Sequence, residues 1–244
     1  MSINDSGHLG NLTGFDHLIT AVKGYPPKYN PSRSEFTPAA LDAKYAVSKI
    51  QNANYNLAES SNTHILDQRV VTYKTLNRLI TNSFNSLKSS GLTPMVIEEV
   101  AQIVRKLKGQ RAGKKPLLSP KAEGEPEPKQ NSVSQLTFDE RLNNFDKYIR
   151  RLEQIPQYDP NEEEITISAL RAFYTILDES NKAAKSSKNM LDNVRIARGV
   201  EFYDKTTGLV TIGKETKLYI RSVFGANSPE FRQVSGITFK MYKN

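Results

Sequence analysis

The sequence predicts an all-α protein: an elongated helical bundle built from two tandem repeats of long helices, with one short C-terminal β-strand. Three observations lead there. The stretch YNPSRSEFTPAALDAKY at residues 29–45 recurs as YDPNEEEITISALRAFY at residues 158–174. Each copy runs into a tract free of glycine and proline, residues 39–90 in the first case and 167–198 in the second, and tracts of that length argue for long helices. Apolar content is only 37%, with a mean hydropathy of −0.55 and no Trp. This favours thin packing, in which each helix keeps a wide wet face, over a thick dry core.

Within the recurring stretch Tyr29/Tyr158, Pro31/Pro160, Glu35/Glu164, Thr37/Thr166, Ala40/Ala169, Leu41/Leu170, Ala43/Ala172 and Tyr45/Tyr174 are identical at one offset of 129. Those eight matches in seventeen positions compare with about one expected from average residue usage. Repeats of roughly 110–120 residues are ordinary domain sizes. The reading therefore divides the chain into a flexible N-terminus (1–12), helical repeat 1 (13–109), a linker (110–135), helical repeat 2 (136–227) and a C-terminal turn and strand (228–244).

Taken in order, residues 1–12 are rich in Ser, Asn and Gly, the composition of a loose end. Phe15, Leu18, Ile19 and Val22 then stand at helical spacing. Their counterpart in the second repeat opens with Thr137 and, three residues on, Glu140, a capping-box pattern that satisfies two orphan amides reciprocally. From there Phe138, Leu142, Phe145, Ile149 and Leu152 alternate by four and three, a narrow stripe suited to a helix–helix seam. Pro31 and Pro160 turn the chain, because proline does not sit inside a helix and pushes the preceding residue to an extended conformation. Thr37 and Thr166 cap the next helices, with Pro38 in the first turn where its missing N–H costs nothing. If the first tract is one helix, it is a rod of roughly 75–80 Å at 1.5 Å per residue. The polar ESSNTH at 59–64 is the alternative, a break.

The predicted seam along these tracts mixes large and small residues. In the first it runs through Leu41, Val47, Ile50 and Leu57 with Ala43, Ala53, Ala58, Asn54 and Ser61. In the second it runs through Leu170, Phe173, Ile176, Leu177, Ser180, Ala183, Ala184, Ser187, Met190, Leu191 and Val194. Small residues let backbones approach, and buried Ser or Asn need partners and set register. Arg69 and Arg198 match at the same offset as the tyrosines. A recurrent arginine there is expected to hold a carboxylate or helix-end carbonyls, with ligand binding as the alternative. The repeat anchors are thus Tyr29, Pro31, Leu41, Tyr45 and Arg69, with Tyr158, Pro160, Leu170, Tyr174 and Arg198.

Repeat 1 closes with a helix from Pro94 whose Val96, Val100, Ile103, Val104 and Leu107 face inward, and repeat 2 with one over 209–224. IVRKLKG and YIRSVFG place a glycine at the end of each. Ser228 caps a short turn at Pro229. Beyond it Ile237, Phe239 and Met241 alternate with Thr238, Lys240 and Tyr242, a strand pattern. A lone strand has to lie against the bundle or pair with another chain.

The net charge of +8 and pI of 9.4 favour acidic partners. Arg105, Lys106, Lys108, Arg111, Lys114 and Lys115 form a run without an acid and are the candidate phosphate contacts. The linker's Pro, Gly, Lys, Glu and Ser mark an extended segment. Absence of cysteine removes disulfides, thiolate nucleophiles and Cys-based zinc sites. His8, His17 and His64 share no metal-site spacing, and Glu162, Glu163 and Glu164 are adjacent rather than opposed across a reacting centre. No G-x-S-x-G, P-loop or dinucleotide fingerprint occurs. No catalytic residue, cofactor or metal is therefore expected, and the chain is not expected to be an enzyme. The N-terminus shows no secretory signal, and no apolar stretch approaches the roughly 20 residues of a bilayer span. A cytoplasmic protein is expected, with leaderless export as the alternative. The function expected is that of a non-enzymatic scaffold or assembly subunit whose partners are protein chains, as a homo- or hetero-oligomer. The alternatives are sequence-nonspecific nucleic-acid binding through 105–115 and a membrane-active helical effector.

Overall fold

The computed structural model describes residues 3–109 and 136–242. Among them are seven α-helices: α1 (Ile3–Lys23), α2 (Pro38–Ser89), α3 (Pro94–Lys108), α4 (Phe138–Glu153), α5 (Ile167–Tyr203), α6 (Leu209–Phe224) and α7 (Pro229–Ser235). Single 3₁₀ turns at Ser34–Phe36 and Glu163–Ile165 precede the two long helices. The linker expected at 110–135, with Arg111, Lys114 and Lys115, lies outside the described residues.

Two compact units emerge, Met1–Thr63 with Ser187–Asn244, and His64–Ser186. They do not coincide with the two stretches expected from sequence. Each combines the opening of one stretch with the close of the other, and α2 and α5 contribute to both. The polar 59–64 segment does not interrupt α2, which runs for 52 residues. Thr63 Oγ1 bonds back to the Glu59 carbonyl at 3.0 Å and Tyr55 OH to Glu59 Oε1 at 2.8 Å. With neither glycine nor proline present, polar side chains alone do not stop a helix.

The first unit is organised around Phe15, Leu18, Val22, Leu41, Phe202 and Leu209, all fully buried. Two expectations fail here. The segment expected to be a flexible N-terminus is helical from Ile3, and its His8 and Asn11 are buried, at 4% and 2% exposure. His8 lies edge-on to Phe202 at 5.1 Å and stacks on Tyr242 at 6.1 Å. Tertiary contact thus overrides a composition that favours coil. The expected C-terminal strand does not form either: among the described residues there is no strand. Residues 237–242 form no regular element, and their backbone is held by side chains. Asn11 donates from Nδ2 to the Lys240 carbonyl and accepts the Lys240 N–H at Oδ1, both at 2.9 Å. Lys217 Nζ donates to the Ser235 carbonyl at 3.0 Å and to that of Ile237. The alternation does its work differently: Phe239 is buried against Phe15 and over Gly213, where an added Cβ would come within 2.6 Å of its ring.

The second unit packs α3 and α4 with parts of the two long helices around Leu76, Ile80, Val100, Phe145, Ile149 and Leu170, all fully buried. Here the stripes read from sequence on α3 and α4 do face the core. Val100, Val104 and Leu107, and Leu142, Phe145, Ile149 and Leu152, are buried. Thr137 Oγ1 accepts the Glu140 N–H at 3.2 Å. On the other side of the capping box, Glu140 Oε2 is buried with no partner.

At the two Y-x-P corners the same bonds recur. Tyr29 OH donates to the Phe36 carbonyl at 2.7 Å, and Tyr158 OH to that of Ile165 at 2.6 Å. Thr37 Oγ1 accepts from the Ala40 N–H at 3.4 Å, and Thr166 Oγ1 from that of Ala169 at 3.2 Å. Burial raises both tyrosine pKa values, Tyr29 strongly and Tyr158 to about 12. Tyr203, also buried, rises to about 12. A phenol whose folded pKa exceeds its unfolded value near 10 stabilises below about pH 10, and that stability is lost as pH climbs through the folded value. Alkaline titration followed at the phenolate absorbance should show these tyrosines ionising only together with loss of helical circular dichroism, above pH 10. Free, non-cooperative titration of all eleven tyrosines near pH 10 would contradict it.

Candidate functional site

The seam between α2 and α5 is where the structure departs most from the sequence reading. Leu41 and Ala58 are buried as expected, but Val47, Ile50 and Leu57 are 47%, 58% and 69% exposed. The row that faces α5 in the first unit is instead Leu41, Ser48, Tyr55 and Asn62, spaced by seven. On α5 the buried row is Leu170, Leu177, Ala184, Leu191 and Arg198, again by seven, while Ile176 and Met190 are exposed. The buried positions of α2 were missed because their partners are polar. Ser48 Oγ donates to Glu201 Oε1 at 2.7 Å, and Lys44 pairs with the same carboxylate at 2.8 Å. Ser187 Oγ donates to Asn62 Oδ1 at 2.9 Å. A search for apolar periodicity passes over such a row. A search for any residue type at a spacing of seven, from Leu41 through Arg69, finds it.

The two matched arginines both lie on aromatic rings. Arg198, 3% exposed, lies with its guanidinium carbon 3.4 Å from the Tyr55 ring centroid, and donates to Asn52 Oδ1 at 3.3 Å. Arg69 stacks 4.0 Å over Phe138 in the second unit, and its buried Nε has no hydrogen-bond partner. In both cases an aromatic face meets the guanidinium. A desolvated cation–π contact of this kind contributes about 2 kcal/mol, and the flat, weakly hydrated guanidinium is suited to it.

Near Arg69 lies a polar cluster of the second unit, built on Tyr73 and Asn181. Tyr73 OH donates to the Phe138 carbonyl at 2.9 Å and accepts from Asn181 Nδ2 at 2.9 Å. Lys185 pairs with Asp139 at 3.0 Å, and Arg141 donates to Asn77 Oδ1 at 2.7 Å. Burial raises the Tyr73 pKa and lowers that of Arg141. Nearby, a wide-open groove of about 530 Å³ is lined by His64, Asp67, Gln68, Val71, Thr72 and Ser180, among others. Its one histidine is engaged within its own helix, His64 Nε2 lying 2.8 Å from Gln68 Nε2. Among the described residues no three His, Cys, Asp or Glu side chains gather as a metal site would.

Of the basic run, Arg105, Lys106 and Lys108 fall on the last turn of α3. Arg105 pairs with Glu98 at 2.6 Å and Lys108 donates to Thr81 Oγ1 at 2.8 Å, leaving Lys106 exposed. Of the remaining residues expected to anchor a repeat, Leu41 and Leu170 are fully buried, while Tyr45 and Tyr174 are half-buried beside the two cores and Pro31 and Pro160 half-buried at the corners.

These features define the chain as an all-α, long-helix bundle protein whose most elaborated surfaces are helix–helix seams. No described helix is long and apolar enough to cross a membrane. Comparison with protein-family models, curated proteins and solved structures finds no match.

Proposed function

We propose that the chain is a non-enzymatic scaffold or assembly subunit formed by duplication of one helical unit. The observation that carries this reading is the recurrence of one corner at an offset of 129: a buried tyrosine hydroxyl bonded to the carbonyl seven residues on, then a threonine cap and a long helix. The matched arginines on aromatic faces add to it. So do Gly109 and Gly225, which end α3 and α6 at φ of 65° and 95°, a region where only glycine is comfortable. What recurs is architecture, since the tyrosines, threonines and glycines involved all serve to join and stop helices. Nucleic-acid binding has less behind it, because Arg105 and Lys108 already have partners within the chain.

The test is the state of the full chain in its own cells and in isolation. Native mass spectrometry of the tagged protein, with sedimentation velocity over a wide concentration range, should find it in assemblies larger than one chain. A concentration-independent monomer in both settings would overturn the reading.

A further inference from the structure

The side of α2 that turns away from α5 in the first unit is itself patterned. Ala43, Val47, Ile50, Asn54, Leu57 and Ser61 are all exposed and follow one another by alternating steps of four and three, the heptad of a two-stranded coiled coil. Val47, Asn54 and Ser61 take the a positions, and Ala43, Ile50 and Leu57 the d positions. Val47 is the one β-branched residue at a and Leu57 the one leucine at d, the pairing that favours two parallel strands, and one buried Asn at a sets register and strand number at some cost in stability.

Charge is absent from this face. Between residues 45 and 63 the charged residues are Lys49 and Glu59 alone. Both are occupied elsewhere, Lys49 over the Tyr45 ring at 6.0 Å and Glu59 accepting from Tyr55. The flanking Ala46, Ala53 and Ser60, one every seven residues, leave room for a second backbone.

Resting on the scaffold reading, we propose that this face is a homotypic docking surface, on which α2 of a second copy packs parallel and in register, with Asn54 against Asn54. A second copy is the occupant favoured for two reasons. An Asn at a is satisfied by another Asn at the same level, which an identical helix supplies by symmetry. A chain of net charge +8 also meets itself with least repulsion along an uncharged strip. Over residues 43–61 the contact is about 28 Å long at 1.5 Å per residue. With a width of one helix, ~10 Å, it covers on the order of 300 Å² per copy, against ~800 Å² for a standard interface. The pairing is therefore weak and concentration-dependent.

The absence of cysteine makes the test clean. Leu57→Cys in the full chain places two thiols opposite each other in the parallel, in-register arrangement, within the Cα separation a disulfide requires. Lys49→Cys, exposed on another side of the helix, is the control. Mild oxidation should give covalent dimer roughly tenfold faster for Leu57→Cys, from the higher effective concentration at the contact. Sedimentation velocity should show the wild type self-associating and Ile50→Lys remaining monomeric. Equal cross-linking of the two cysteine variants, or self-association unchanged by Ile50→Lys, overturns this face while leaving the scaffold reading intact. Assembly only with a different protein does the same. A wild type that is monomeric at every concentration and assembles with nothing overturns both.

Discussion

Replacing Phe239 by alanine lowers the unfolding free energy by about 3–5 kcal/mol, the range for emptying a buried phenylalanine site, and frees the C-terminal segment. The ring is 6% exposed, lies edge-on to Phe15 at 6.2 Å and rests over Gly213. No backbone ladder supports the segment, and the ring holds it together with Asn11, Lys217 and the packing of Tyr242 on His8 and Tyr203. Hydrogen exchange separates the two consequences. The Lys240 amide, bonded to Asn11 Oδ1, should be protected in the wild type and should exchange at the rate of an open chain in Phe239→Ala. Asn11→Ala should release the same amide with a smaller loss of stability, about 1–3 kcal/mol. Persistent Lys240 protection in both variants would show that some other contact retains the tail.

Substituting Arg198 by methionine costs about 2–4 kcal/mol, measured by denaturant unfolding. The cation–π contact with Tyr55 is lost, about 2 kcal/mol for a desolvated pair, and the half-buried Asn52 side chain loses a donor. Arg198→Lys should recover little, because an ammonium lacks the flat face that stacks on the ring. Full recovery by lysine would mean that charge alone matters there. A loss below 0.5 kcal/mol, the range of ordinary surface substitutions, would mean that the seam does not depend on this residue.

How much was readable in advance differs from helix to helix, for one physical reason. On α3 and α4 the buried face is aliphatic and aromatic, so burial and apolar periodicity coincide and Val100, Val104, Phe145 and Ile149 are found directly. Corners and caps are also legible, since proline and threonine act locally: Thr37, Thr137 and Thr166 each accept the expected amide. On α2 and α5 the signal misleads. Val47, Ile50 and Leu57 carry the apolar pattern but stand in solvent, while Ser48, Tyr55 and Asn62 are buried. A polar side chain is buried only when a partner meets it. Here those partners, Glu201, Arg198 and Ser187, come from more than 120 residues away.

From its own composition and spacing, then, the chain specifies helices, their capped starts, their glycine stops and the corners between them, because each depends on the conformational limits of residues a few positions apart. Tertiary contact decided the rest. It extended α1 back to Ile3 through the burial of His8 and Asn11, held residues 237–242 by side chains instead of a ladder, and chose which side of each long helix is covered. An amphipathic helix with two usable faces cannot choose between them alone. The choice falls to the partner that satisfies the more demanding polar groups.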